Sequence, residues 1–382
     1  MRSLQNLRVL DLSKMLPGNY CSMLLADHGA EVIKIDLPDR PEPVRFFQPQ
    51  KRGMSYWHMI LNRGKKSITL DYRSKKGQEV FLELVKTADI LLEAFRPGQL
   101  DKWGIGYDIL KEINPKLIYC AISGYGKKNK VARAAHDLNI TGLVGSNYED
   151  GSEPLIGSVQ ITGLNAAMHA SFSILAAVNA RTLTGKGQHL DVPLMHTALA
   201  MLSVNFGNYV GFKETGIPMM ERKRPNYTSY KTKDGKYMTV GSVEFKFWQR
   251  LCEILDIVEL QDKINDAAKK EELFDTLGRI FLTKTRAEWE EIFKGEDICV
   301  TGVYSFVEVA ENSCFEKNGM LAEFSDEKLG KYQQLQAPVV FSETPADVSA
   351  RATYSGENNE EIFFSLGLDK EEIDDLKKNK IV

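Results

Sequence analysis

The chain is short of the residues that build metal centres and disulfide frameworks. Its five cysteines, Cys21, Cys120, Cys252, Cys299 and Cys314, are scattered, odd in number and never spaced as CxxC. They fit reduced thiols in a cytoplasmic protein. The six histidines do not cluster with them, which argues against zinc. No apolar run reaches the roughly 18 residues that span a bilayer. The opening Met-Arg-Ser-Leu-Gln-Asn lacks the apolar core of a secretory signal. Charge of one sign is not in excess either. A formal net charge of −3 gives no general attraction to nucleic acid or anionic membrane. The dinucleotide fingerprint GxGxxG is also missing from the first strand-to-helix turn, which has one glycine, Gly18.

What is present is β-α alternation. Arg8-Val-Leu-Asp-Leu-Ser13 reads as a buried strand broken by Lys14-Met-Leu-Pro-Gly18. Residues 19–28 have helical spacing, and 31–35 form a second strand. A β-α-β unit of this kind makes a parallel sheet, and its first turn lies where open α/β sheets bind ligands. Strands are expected at 66–71, 89–95, 117–123 and 189–192, with helices at 77–88, 164–182 and 194–210. Residues 213–230, rich in Gly, Pro, Asn and basic side chains, read as a linker. Beyond it, a strand at 237–241 and helices at 245–256, 269–283 and 285–294 suggest a smaller domain. Asp369 reads as the N-cap of a last helix that contains Leu376. The helix at 164–182 carries Asn165, His169, Asn179 and Arg181, which oppose a membrane role. The basic stretch Glu221-Arg-Lys-Arg224 reads as a solvated loop.

Several blocks, in order, resemble the family III CoA-transferases, a superfamily that includes formyl-CoA and carnitine-CoA transferases and α-methylacyl-CoA racemases. They are Val9-Leu-Asp-Leu with Pro17-Gly18, Leu25-Ala-Asp-His-Gly-Ala-Glu-Val-Ile-Lys-Ile-Asp36, Asn62-Arg-Gly-Lys-Lys-Ser-Ile-Thr-Leu-Asp71, Phe95-Arg-Pro-Gly98, Leu117 to Gly126, and Thr184-Gly-Lys-Gly-Gln188. The resemblance implies a large Rossmann-like parallel α/β domain, a smaller α+β domain, and a C-terminal segment that returns to the large one. The expected boundaries are 1–215, 216–327 and 328–382. It also implies an interlocked homodimer. The substrate would be an acyl-CoA thioester. Coenzyme A would arrive as part of that substrate, and no tightly bound cofactor or metal is expected. By the same resemblance, Met15 and Leu16 match the turn that holds adenine. Leu70 and Arg73 border the nucleotide, and Ala94 and Phe95 lie at the next strand end. Lys34 and Lys102 are candidates to meet phosphates. For Leu16, Leu70 and Phe95 the competing reading is core packing, and for the lysines a solvated face.

The segment Ala135-His-Asp-Leu-Asn-Ile140 resembles the racemase branch, where the histidine at position 136 is one α-proton base. Imidazole suits that task because its pKa lies near neutrality. Glu244 matches the carboxylate that orients this histidine, and Asp137 stands beside it. The competing reading is a satisfied core histidine and an unrelated surface glutamate. The family's principal aspartate, a nucleophile in transferases and a second base in racemases, falls at Gly163. No Asp or Glu lies between Pro154 and Leu190. Gln160 and Thr162 are near, but an amide is no base and a hydroxyl is a poor one. Three readings remain: an engineered replacement, chemistry run by His136 with water or Asp137, or a binder of CoA esters without turnover. An enolate formed by His136 would draw on backbone amides at a helix N-terminus.

Overall fold

Apolar strands that alternate with amphipathic helices close most readily as a parallel sheet. The computed structural model, which describes residues 1–129, 133–148, 153–217, 223–311 and 319–382, has that sheet. Its strands are β1 (Arg8–Asp11), β2 (Glu31–Asp36), β3 (Lys66–Thr69), β4 (Ile90–Glu93), β5 (Ile118–Ser123) and β6 (His189–Pro193). All neighbours are parallel, in the order β3-β2-β1-β4-β5-β6. That is the doubly wound order, with its switch point between β1 and β4.

The helices here are α1 (Met15–Asp27), α2 (Lys75–Lys86), α3 (Asp137–Val144), α4 (Ile161–Thr184), α5 (Leu194–Ala200) and α6 (Ser203–Thr215). Helix α2 starts where the Ser74 hydroxyl accepts from Gly77 N–H at 3.1 Å. It buries Val80, Phe81, Leu84 and Val85 on one sheet face, each worth roughly 1.5–3 kcal/mol. On the other face α1 and α4 pack through small side chains. Ala166, Ala167, Ala170 and Ala177 meet a cluster that includes Cys21, Leu25 and Ala26. By length and apolarity α4 is also suited to cross a membrane, but its small-residue face is sealed into this core.

Two local expectations change. Lys14 to Gly18 is not a break: α1 already begins at Met15, because proline is tolerated in a first helical turn. The helix expected at 194–210 is two, α5 and α6, separated at Met201 and Leu202.

By contacts the chain divides into Met1–Val204 with Asn318–Val382, and Asn205–Lys317. In the second unit, β7 (Thr228–Lys231), β8 (Tyr237–Val240) and β9 (Val300–Gly302) form an antiparallel sheet in the order β9-β8-β7. Helices α7 (Phe245–Ile254), α8 (Lys270–Phe281) and α9 (Arg286–Ile292) share with it a core of Trp248, Leu277, Phe281 and Trp289. In the first unit, β10 (Leu321–Asp326) and β11 (Gly330–Leu335) form a hairpin. Helices α10 (Asn359–Ser365) and α11 (Lys370–Lys378) then put Phe363 and Leu376 into the same cluster as Phe81. Asn358 and Asn359 accept from Ser67 and Thr69 N–H, both at 2.9 Å, which satisfies the free edge of β3. Asp369 caps α11 as expected, accepting from Glu372 N–H at 2.9 Å.

Among the described residues Cys21, Cys120 and Cys252 are buried free thiols and Cys299 is an exposed one. Cys314, and Glu221 and Arg222 of the basic stretch, lie outside the described residues.

Candidate active site

The crevice between β1 and β4 rests on a buried charge network. Asp11, at the end of β1, accepts from the Ser13 hydroxyl at 2.5 Å and the Ser22 hydroxyl at 2.5 Å. Lys34 Nζ stands 3.4 Å from Asp11 and 3.4 Å from Glu42, and donates to Asn19 Oδ1 at 2.9 Å. Burial opposes both charges, yet the mutual attraction keeps the Asp11 carboxyl below and the Lys34 ammonium above their ordinary values. Lys65, equally buried, donates to Asn19 O and Asn62 Oδ1 at 2.9 and 2.8 Å, and burial lowers it to about 8.

Lys34 is therefore not a phosphate ligand. Its side chain is 1% exposed and its donors are spent inside the protein. Its role is to neutralise the floor of the turn. Glu42 uses its other oxygen to accept from Met15 N–H at 3.0 Å, and so braces a residue held at φ 63°, a left-handed conformation unusual for a non-glycine. Gly18 is required there: a Cβ would come within 2.1 Å of the Ser13 side chain. Met15 and Leu16 are half-buried at the crevice rim. Lys14, beside them, donates to Arg40 O at 3.1 Å, and burial lowers its ammonium.

Of the other nucleotide candidates, Leu70 is corrected. It is 0% exposed and belongs to the core under α2, so core packing is its role. Arg73 is tied to Asp71 and Asp39 at 2.7 and 2.8 Å. Ala94 and Phe95 are half-buried at the end of β4, and Lys102 is exposed with no ion pair among the described residues. Beneath Phe95, Glu93 accepts from its N–H at 2.6 Å. Burial pushes the Glu93 carboxyl up to about 8. Glu93 and Phe95 line a small pocket with Tyr107, Tyr119, Lys127, His189 and Asp191.

The His136 segment is fixed by the loop after β5. At Gly124 a Cβ would lie 2.4 Å from the Ala135 Cβ, so only glycine permits this close approach. Tyr125 is buried, and its hydroxyl accepts from Asn139 Nδ2 at 3.2 Å and Arg133 Nε at 3.1 Å. Asn139 Oδ1 accepts from His136 N–H at 2.6 Å. His136 is the exposed residue preceding α3. The expectation of a satisfied core histidine is thus not met.

Asp137, half-buried, turns to the first turn of α4. Its Oδ1 accepts from Thr162 N–H at 2.7 Å, Thr162 Oγ1 at 2.6 Å and Gly163 N–H at 3.3 Å. Those helix amides are consequently occupied, and an enolate must find donors elsewhere. A Cβ at Gly163 would meet Leu16 Cδ2 at 3.4 Å and Pro17 Cγ at 3.6 Å. The side chain that reaches the His136–Asp137 pair is Thr162. The crevice turn and the histidine segment are thus linked through Leu16, Gly163, Thr162 and Asp137.

Glu244 belongs to the second unit. It is exposed before α7, and its carboxylate makes no hydrogen bond or ion pair among the described residues. Sequence reasoning had no signal for Glu42, which sits in a proline-rich loop, and read Tyr125 only as part of a strand stop. No group of three or more metal-ligating side chains occurs among the described residues.

Residues 4–359 match the family model described as CoA-transferase family III. The chain is similar to human alpha-methylacyl-CoA racemase, with 32% identity over 100% of this chain and 97% of the relative. It is similar also to human succinyl-CoA:glutarate CoA-transferase, with 30% identity over 87% of this chain and 78% of the relative. Among solved structures, a CAIB/BAIF family protein from Brucella suis superposes with a TM-score of 0.78 at 27% identity, covering 96% of this chain and 99% of that one.

Proposed function

Because the chain belongs to CoA-transferase family III, we propose that it takes an acyl-CoA thioester and racemises or epimerises a 2-methylacyl group at C2. The observation that carries this reading is the exposed His136, whose backbone N–H is held by Asn139 and through it by Tyr125, next to Asp137 bonded to Thr162. A thioester acidifies its α-carbon, and a group with a pKa near neutrality is suited to remove that proton. The racemase relatives support the same reaction.

Met15, Leu16, Ala94 and Phe95 at the switch point would hold the CoA moiety, with Lys102 as an exposed cation for phosphate. Transfer of CoA to a free carboxylate is the second reading, favoured by the transferase relatives. It needs a carboxylate nucleophile, and the start of α4 supplies none between Pro154 and Leu190.

The working form is proposed to be a homodimer. Met168, Phe172 and Leu183 on α4 are exposed apolar side chains, and α6 buries none of its residues. The free thiols support a cytoplasmic location. The functional test is chiral analysis of one 2-methylacyl-CoA epimer after incubation, beside a transfer assay with a free carboxylic acid. Racemisation without transfer is expected. Transfer with retained configuration would replace this reading with the second.

A further inference from the structure

A reaction that inverts C2 needs two acid–base groups, one on each face of the enolate. We infer that Asp137 is the second one, opposite His136, and that Thr162 is its positioning residue. This rests on the racemase reading. The start of α4 offers no carboxylate of its own, since no Asp or Glu lies between Pro154 and Leu190. Gly163 has no side chain, and its Cβ direction points to Leu16 and Pro17. The carboxylate that arrives at this turn comes from the neighbouring helix. Asp137 Oδ1 receives all three donors, Thr162 N–H, Thr162 Oγ1 and Gly163 N–H, at 2.7, 2.6 and 3.3 Å.

That geometry has two consequences. Three hydrogen bonds converging on one carboxylate oxygen fix its orientation. Because the donors converge on one oxygen, Oδ2 makes no hydrogen bond among the described residues and keeps its lone pairs for a proton. Asp137 and His136 are consecutive residues where α3 begins, so one rigid turn carries both groups.

The step balances without a co-reactant. Asp137 Oδ2 takes the proton from C2, and the C–H electron pair moves into the thioester enolate. The imidazolium of His136 gives its proton to C2 from the opposite face, and the enolate returns to the thioester. The reverse direction exchanges the two roles. The ordinary competing role for Asp137 is a helix cap for α4, and the experiment separates the two.

Deuterium wash-in at C2 is followed from each epimer separately, in heavy water, for wild type, His136→Gln and Asp137→Asn. Asparagine keeps an accepting Oδ1 and so keeps the cap. The expected result is loss of wash-in from one epimer in His136→Gln and from the other in Asp137→Asn, each by about 10²–10⁴-fold. If Asp137→Asn exchanges both epimers within threefold of wild type, Asp137 is only a cap and the racemase reading stands. If wild type exchanges neither epimer, the racemase reading falls and takes this inference with it. Thr162→Val keeps both bases but removes one donor from Asp137, which guards against a misfolded Asp137→Asn. Its kcat for exchange should fall for the Asp137-dependent epimer alone, with KM unchanged. Unchanged exchange of both epimers would overturn the positioning role.

Discussion

Lys34 and Glu93 lie beneath the two strand ends that make the crevice, and both are nearly inaccessible. Their burial does opposite things. Lys34 is surrounded by Asp11, Glu42 and the Asn19 amide oxygen, so its charge is compensated in place. Glu93 has Phe95 N–H and the Tyr119 hydroxyl but no ion pair among the described residues, so burial keeps its proton on to about pH 8. Unfolded, the same carboxyl titrates near 4.3. Between those values the folded chain binds a proton that the unfolded chain has released. Stability therefore falls as pH rises from about 4.5 to 8 and is flat above. In Glu93→Gln that dependence is gone. Denaturation at pH 5 and pH 8 should show the variant gaining about 3–4 kcal/mol on wild type between the two. A difference that does not change with pH contradicts the assignment.

Elements decide where His136 stands. Strand β5 is followed by Gly124, against which Ala135 is pressed, and Tyr125 then ties the loop to Asn139. Gly124→Ala places a Cβ 2.4 Å from the Ala135 Cβ, so the segment carrying His136 has to move. The expected outcome is a fall of about 10²-fold in kcat/KM, since displacement of a base by about 1 Å is that costly. Calorimetry on the same variant should show a melting shift of only a few degrees. Kinetics equal to wild type would mean that this contact does not position the histidine. At this scale much was legible in the sequence. The six parallel strands follow from apolar runs, and the cap at Asp369 from residue type alone. What was not legible depends on contacts distant in sequence. Lys34 reads as accessible in the sequence and is sealed beside Glu42, and Leu70 takes the core-packing role that competed with nucleotide contact. The direction of Gly163 against Leu16 is set by how α4 crosses α1, which no local pattern encodes. The same is true of the bond from Thr162 to Asp137.

At the scale of the whole molecule, much apolar surface is left uncovered. Phe172 on α4 is 72% exposed and Phe206 on α6 is 64% exposed. Sedimentation should give twice the chain mass at micromolar concentration, and Phe172→Glu with Phe206→Glu should shift it toward the single-chain value. A wild-type chain that sediments as a monomer would contradict the dimer. The comparisons give the family and leave the reaction to be decided between racemisation and transfer. The most direct decision comes from mass spectrometry of a 2-methylacyl-CoA recovered from heavy water after incubation with the enzyme. The account predicts a gain of one mass unit at C2 that His136→Gln loses from one epimer and keeps from the other. Recovery of unlabelled thioester from wild type, under conditions where binding is saturated, would contradict it.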